Sequence, residues 1–298
     1  MTKFADLHCD TAYMLYKKKT PLAHNKHHIS LKKARCFDEY VQFFAIWTPD
    51  RLNSDKGFDL VKKILDNFHM EIEKNKDTIT LCKTKKDYID AKTPIKAFLS
   101  LEGAKPLQND LKRLEFLADA GVKLINLTWN NSNEFANGCK SKNTAGLTPK
   151  GFSLLELMKE KNIIPDVSHI NTTGFWDVYN SCDIFVASHS CAYSLCSSPR
   201  NLTDQQIKAV INKKGLIGVN LYPAFLADNK KAGIEKIKEH FAHFISLGAK
   251  DNIAFGCDFD GVTKLPTGVK DISDILKINL DDNLNFSNAD RFIKDNFI

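Results

Sequence analysis

Ile163-Ile164-Pro165-Asp166-Val167-Ser168-His169 and Ile184-Phe185-Val186-Ala187-Ser188-His189 are two apolar runs of strand length, each closed by a histidine. They are too short for helices and too continuous for the in-out alternation of a half-exposed strand, so they fit parallel strands buried on both faces. Taking these two as strands over 163–168 and 184–188, six more runs of the same kind lie at 4–8, 41–47, 95–101, 122–129, 215–222 and 252–257. Between them, apolar residues recur at helical intervals over 58–73, 111–118, 154–158 and 234–247. Thr203 with Gln206 three residues on is a capping box, which predicts a helix through Ile211 that stops at Gly215. Strands alternating with helices imply an α/β fold with a parallel sheet, and eight strands close it into a (β/α)8 TIM-type barrel. With 298 residues, 43% of them hydrophobic, the chain is expected to form a single barrel domain over 1–298. The basic, histidine-bearing connection 20–39 is expected to form a loop over the barrel mouth.

The composition narrows the function classes. No apolar stretch of secretory length follows Met1, and none approaches a membrane span, so the expectation is a cytoplasmic protein with no membrane partner. The eight cysteines are scattered singly with no CxxC pair, which reads as free thiols in a reducing compartment. The net charge of +6 comes from lysines spread over many segments, without a basic stripe interleaved with aromatics, so no nucleic-acid partner is expected.

Imidazoles and carboxylates gather at the predicted strand ends, which in an α/β barrel form the catalytic face. His8 and Asp10 lie two apart and point to one side; a lone pair of this kind also occurs in surface turns. Glu102 follows an apolar run directly, and a buried glutamate needs a partner or a metal. A single strand-end histidine is commonly a satisfied core imidazole, but His169 and His189 close consecutive strands and converge. Asp258 follows the last strand and can face the mouth, whereas Asp260-Gly261 can simply make the turn. The set suits zinc, with manganese or cobalt as substitutes, and six groups exceed what one tetrahedral ion uses, so two metals are expected.

On these residues the chain resembles the renal (membrane) dipeptidase family of zinc metallopeptidases, within the amidohydrolase-like barrels. Six segments carry the resemblance in order: Asp6-Leu7-His8-Cys9-Asp10-Thr11, Leu101-Glu102-Gly103, Gly146-Leu147-Thr148 with Gly151, Asp166-Val167-Ser168-His169, Ser188-His189-Ser190 leading to Ser198-Pro199-Arg200-Asn201, and Gly256-Cys257-Asp258-Phe259-Asp260-Gly261-Val262. The resemblance implies that His8 and Asp10 hold one zinc, that His169 and His189 hold the other, and that Glu102 bridges both. It implies an acid/base role for Asp258 and a grip on the substrate carboxylate for Arg200, whose planar fork suits that task. It also implies hydrolysis of small dipeptides by a metal-bridging hydroxide, tolerance for a D-residue on the C-terminal side, and pairing into a homodimer, although no stretch reads as an interface.

Two positions depart from the family pattern. Trp129 stands where mammalian members place a histidine near the reacting centre; its indole N–H, with Asn130 or Asn131, is the available donor. Tyr222 is kept, but Phe225 stands where the family can have a substrate-contacting tyrosine. The part beyond Val262 is short for the family, with a closing helix expected around 288–292. The competing functions are a related barrel amidohydrolase acting on N-acyl amino acids or lactams, distinguished at Trp129, Arg200, Tyr222 and Phe225, and a catalytically silent metal-binding barrel.

Overall fold

The computed structural model describes residues 1–108 and 110–298. Its sheet is parallel throughout, with strands β1 (Lys3–Cys9), β2 (Glu39–Trp47), β3 (Ile79–Leu81), β4 (Ile95–Glu102), β5 (Val122–Asn126), β6 (Ile164–Asp166), β7 (Ile217–Val219) and β8 (Ile253–Phe255). The sheet runs β6-β5-β4-β2-β1-β8-β7. The expected strand over 184–188 shrinks to two bridges, Asp166 with Val186 and Ala187 with Ile217, yet it closes the ring: Val186 N donates to Pro165 O (2.9 Å) and Ala187 N to Leu216 O (2.9 Å). A short strand not anticipated from the sequence, β3, pairs with β4 below the point where β5 joins it. Three residues carry too little pattern to signal a strand.

Two buried layers explain the continuous hydrophobicity. Phe4, Phe44, Leu99, Ile125 and Phe255 face outward into the helical jacket, while Leu7, Val41, Phe43, Phe98, Leu124 and Ala254 fill the lumen. The helix Asn288–Asn296 plugs the lower end, and Phe297 packs edge-on against Phe98 at 5.2 Å and Phe43 at 6.0 Å. Burying such a phenylalanine contributes about 1.5–3 kcal/mol. Helices Ser54–Lys74, Leu111–Ala120, Pro149–Glu160, Asp204–Asn212 and Ile234–Ser246 stand where apolar periodicity and the Thr203 capping box place them.

Near the upper end the lumen is pinched by main chain. The Ser188 carbonyl enters so far that a Cβ at Gly218 or Gly256 would lie 1.9 Å from its oxygen. The plugged base and this pinch close the lumen beneath the upper rim. Among the described residues no helix is long and apolar enough to cross a membrane.

Candidate metal centre and active site

The side-chain parity of β1 is the first device that builds the site. Ala5 and Leu7 point into the lumen and Phe4 points out, so strict alternation would send His8 out as well. Asp6 pairs with Gln42 but Cys9 with Phe44, leaving one extra residue on β1. This bulge resets the parity, as bulges do beside active sites, so that Cys9 joins the outer layer and His8 and Asp10 both face the mouth. Glu102 needs no such correction, because it continues the inward set that contains Phe98.

Two aspartates behind the rim hold the ligand-bearing turns. Asp6 Oδ1 accepts from its own His8 N (3.3 Å) and from Cys257 N on the next stave (2.8 Å). Asp166 Oδ1 accepts likewise from Ser168 N (2.9 Å) and Ser188 N (3.0 Å). Burial pushes the Asp6 carboxyl up to about 6. His169 (φ 74°), Asp258 (φ 61°) and Asp260 (φ 69°) adopt left-handed backbone, strain that persists only where surrounding structure enforces it.

All six predicted residues meet at the rim. Glu102 Oε1 lies 2.9 Å from His169 Nε2 and 3.4 Å from His189 Nε2, while its Oε2 lies 3.8 Å from His8 Nε2. One carboxylate thus offers an oxygen to each side. His8 Nε2 is 3.5 Å from Asp10 Oδ2 and 3.9 Å from Asp258 Oδ1, and its ring stacks on His189 at 3.7 Å. Donor atoms of His8, Glu102 and His189, and of His8, Asp10 and Asp258, converge within 4.8 Å.

These residues fit a pair of metal ions. Both ring nitrogens of His8 are buried with no hydrogen-bond partner among the described residues, which is costly unless an ion takes a lone pair. Asn130 Oδ1 sits 3.1 Å from His169 Nδ1 and Ser188 Oγ 2.7 Å from His189 Nδ1, orienting both rings from behind as supporting groups of metal-bound histidines do. The two Nε2 atoms stand 2.9 Å apart, and with protons held on Nδ1 their lone pairs repel unless a cation shares them. Burial and the charge of Asp10 push the Glu102 carboxyl well up. Burial raises Asp258 to about 6. Burial alone would lower His8, but Glu102, Asp10 and Asp258 around it carry it up to about 10. Burial, Arg200 and His8 press His169 and His189 well down, which keeps both in the neutral form that ligates. Carboxylates crowded out of water in this way are what a bound cation relieves.

A cavity of about 360 Å³ opens onto the ligands, walled by Tyr13, Met14, Trp47, Trp129, Tyr222 and Phe225. Trp129 packs edge-on against Trp47 at 5.2 Å and leans over His169 at 6.2 Å. Phe225 packs edge-on against Tyr222 at 5.0 Å. Asn220 Nδ2 donates to Asp258 Oδ2 (2.9 Å), leaving Oδ1 directed toward His8. Asn131, expected as a further donor beside Trp129, is engaged elsewhere, with Asp50 Oδ2 at 2.6 Å. Arg200 is no surface cation: it is 4% exposed, donates to His189 O (3.0 Å) and Ser190 Oγ (3.2 Å), and borders a second cavity beyond His169.

Several functional positions escaped sequence reasoning. Asp260 does more than turn the chain, since it accepts from Thr11 Oγ1 (2.6 Å) and His28 N and so ties the 20–39 connection to the rim. His28 Nδ1 accepts from Asp260 N (2.9 Å), which makes this imidazole a structural anchor. Asp6 and Asn220 were equally unmarked, while Asn130, expected as a donor beside Trp129, orients the His169 ring. The spacings Asp6-x-His8 and Asp166-x-x-His169, an aspartate shortly before two of the three strand-end histidines, were the available signal for the two struts.

A barrel with three imidazoles and three carboxylates converging at its catalytic rim is a metal-dependent hydrolase of the α/β-barrel class. Residues 1–294 match the model of the membrane dipeptidase family (peptidase family M19), and the chain belongs to that family of metallopeptidases. An uncharacterised protein from the pqqA 5' region of Klebsiella pneumoniae is 35% identical over 189 residues, 60% of this chain and 69% of its own. One from the PQQ-III 3' region of Acinetobacter calcoaceticus is 31% identical over 252 residues, 73% and 79% of the two chains. A metallopeptidase from Rhodobacter sphaeroides, solved with a phosphinate mimic of the dipeptide L-Ala-D-Ala, shares the fold with a TM-score of 0.91 over 99% of both chains at 21% identity.

Proposed function

We propose that this chain is a cytosolic two-zinc dipeptidase that accepts small dipeptides, including those with a D-residue on the C-terminal side. The observation that carries the proposal is Glu102, whose Oε1 faces His169 and His189 while its Oε2 faces His8, beside Asp10. In this scheme Asp10 and His8 would hold one ion, His169 and His189 would hold the other, and Glu102 would serve both. When bound, the ions supply Lewis-acid polarisation of the scissile carbonyl and a water acidified to near neutral pH.

The protein's own groups do the rest. Asp258 Oδ1 takes the proton of the attacking water and returns it to the departing amine, while Asn220 keeps Oδ2 out of the exchange. Burial, which raises Asp258 to about 6, suits a group that must both take and give a proton near neutrality. Trp129, Trp47 and Phe225 exclude water and hold the substrate's apolar parts. The D-residue preference draws support from the dipeptide mimic bound by the Rhodobacter neighbour, and the cytosolic setting from eight cysteines that are all free.

Turnover of a panel of L,L- and L,D-dipeptides, N-acyl amino acids and lactams by metal-depleted and zinc-reloaded protein tests the scheme. Dipeptide hydrolysis restored by about two zinc ions per chain supports it. Activity confined to the other substrates overturns the peptidase assignment, and two bound ions without hydrolysis identify a silent barrel.

A further inference from the structure

Asp10 occupies the N-cap of the helix Thr11–Lys18, yet its side chain makes no capping bond to that helix. An aspartate at such a position ordinarily accepts from a first-turn N–H. Asp10 instead turns Oδ2 to the rim, 3.5 Å from His8 Nε2, beside Asp258 Oδ1 at 3.9 Å from the same nitrogen. Gly261 presses against both of these oxygens. A Cβ there would lie 2.0 Å from Asp10 Oδ2, 2.5 Å from Asp258 Oδ1 and 3.0 Å from Asp10 Cγ. Gly261 is not one of the glycines with left-handed backbone, so its φ suits any residue and only space keeps a side chain out.

The main chain around Gly261 is tied down. Asp10 N donates to Phe259 O (2.8 Å) and Asp258 N to His8 O (3.1 Å), which stitches the turn to β1, and Gly261 N donates to Asp258 O (3.2 Å). Between them Asp260 accepts from Thr11 Oγ1 (2.6 Å) and His28 N (2.6 Å), and its own N donates to His28 Nδ1 (2.9 Å). What can move is the pair of carboxylates, because they are the free ends of side chains. Asp10 has a second seat within reach, the unsatisfied N–H groups that open its own helix. We propose that Gly261 is a positioning residue for the ion that His8 and Asp10 would hold. Its bare Cα is the wall against which both carboxylates converge on His8, and a methyl group in its place turns Asp10 away toward the helix cap. The inference rests on the two-zinc reading and deepens it. His169 and His189 are braced instead by Asn130 and Ser188, so their ion does not depend on Gly261.

The test titrates zinc calorimetrically into metal-free protein, with metal analysis after desalting. The wild type is expected to take about two ions, and Gly261→Ala to keep one and weaken the other at least about tenfold, the scale for loss of ligand support. Asp10→Ala should give the same stoichiometry. The matched control is Gly146→Ala, whose Cβ would lie 1.8 Å from Asp177 Oδ2, a carboxylate on the helix Thr172–Ser181, so both ions should stay. Thermal unfolding of metal-free samples separates a displaced ligand from a damaged fold. Gly261→Ala should then melt with the wild type, because the carboxylates give way and the turn does not. Gly261→Ala binding two ions at wild-type affinity, or none, overturns the assignment. So does loss of an ion in Gly146→Ala, and so does a metal-free Gly261→Ala that melts well below the wild type or does not fold. A wild type that takes a single ion defeats the two-zinc reading; the Gly261 assignment is then upheld if Gly261→Ala weakens that ion about tenfold and overturned if it does not.

Discussion

Alanine in place of Gly256 would strike the main-chain pinch near the upper end of the lumen. The added Cβ would lie 1.9 Å from Ser188 O, 2.9 Å from Ser188 C and 3.0 Å from Gly218 Cα, all of them main chain. Ordinary carbon–oxygen contact needs more than 3 Å, so the Ser188 carbonyl must retreat by over about 1 Å, and His189 is the next residue. Overpacking of this kind costs typically about 1–3 kcal/mol, which for a chain of this size lowers Tm by roughly 2–5 °C. Because His189 moves with its neighbour, zinc affinity should fall about 10- to 100-fold, as for other losses of ligand support. The matched control is Gly57→Ala, inside the helix Ser54–Lys74, where the nearest atom to a new Cβ is Pro106 Cγ at an ordinary 3.4 Å. There alanine should stabilise by about 0.5–1 kcal/mol through helix propensity. Thermal unfolding of both variants, with metal analysis after dialysis against a weak chelator, gives the answer. If Gly256→Ala melts with the wild type and retains added metal as well as the wild type does, the pinched-lumen account of how His189 is set is wrong.

Asn130→Ala should leave the fold intact and lower zinc affinity about 10- to 100-fold by freeing the His169 ring, measured by competition with a chromophoric chelator. Glu39→Gln should destabilise by about 1–3 kcal/mol at pH 7, because Lys96, nearly buried, loses its partner at 2.8 Å. Lys3 and Lys96, working against burial, hold the Glu39 carboxyl below its ordinary range, so its contribution is present above about pH 4.5 and fades as pH falls through the lowered value; the Tm gap between variant and wild type should close over that interval. Thr203→Ala should cost about 1 kcal/mol in urea unfolding, since Thr203 Oγ1 accepts from Gln206 N (3.3 Å) and Gln206 Oε1 accepts from Thr203 N (2.9 Å).

The site was legible to the extent that it depended on strand ends. Runs such as 95–101 are apolar on both faces because the jacket and the lumen both exclude water, and the polar residue that ends such a run marks the rim. That logic locates Glu102, His169, His189 and Asp258 without coordinates. It reaches His8 for an incomplete reason. Spacing says that His8 and Asp10 share a side, but which side depends on the bulge between Asp6 and Cys9, and a bulge is a property of the pairing with β2 and not of β1 alone.

Sequence alone thus indicated most of the order of strands and helices, the barrel class and which imidazoles and carboxylates gather at the rim, because burial periodicity and the cost of unpaired polar groups act locally along a chain. The tertiary structure alone decided direction. It buried Arg200 against His189 O and Ser190 Oγ, set residues 139–140 against the main chain of His169 and Asn130, tied His28 to Asp260 across 232 positions, and left the stave at Val186 and Ala187 too short to register as a strand. Each of these depends on what lies opposite in space, and residues far apart in sequence leave no periodic trace of one another.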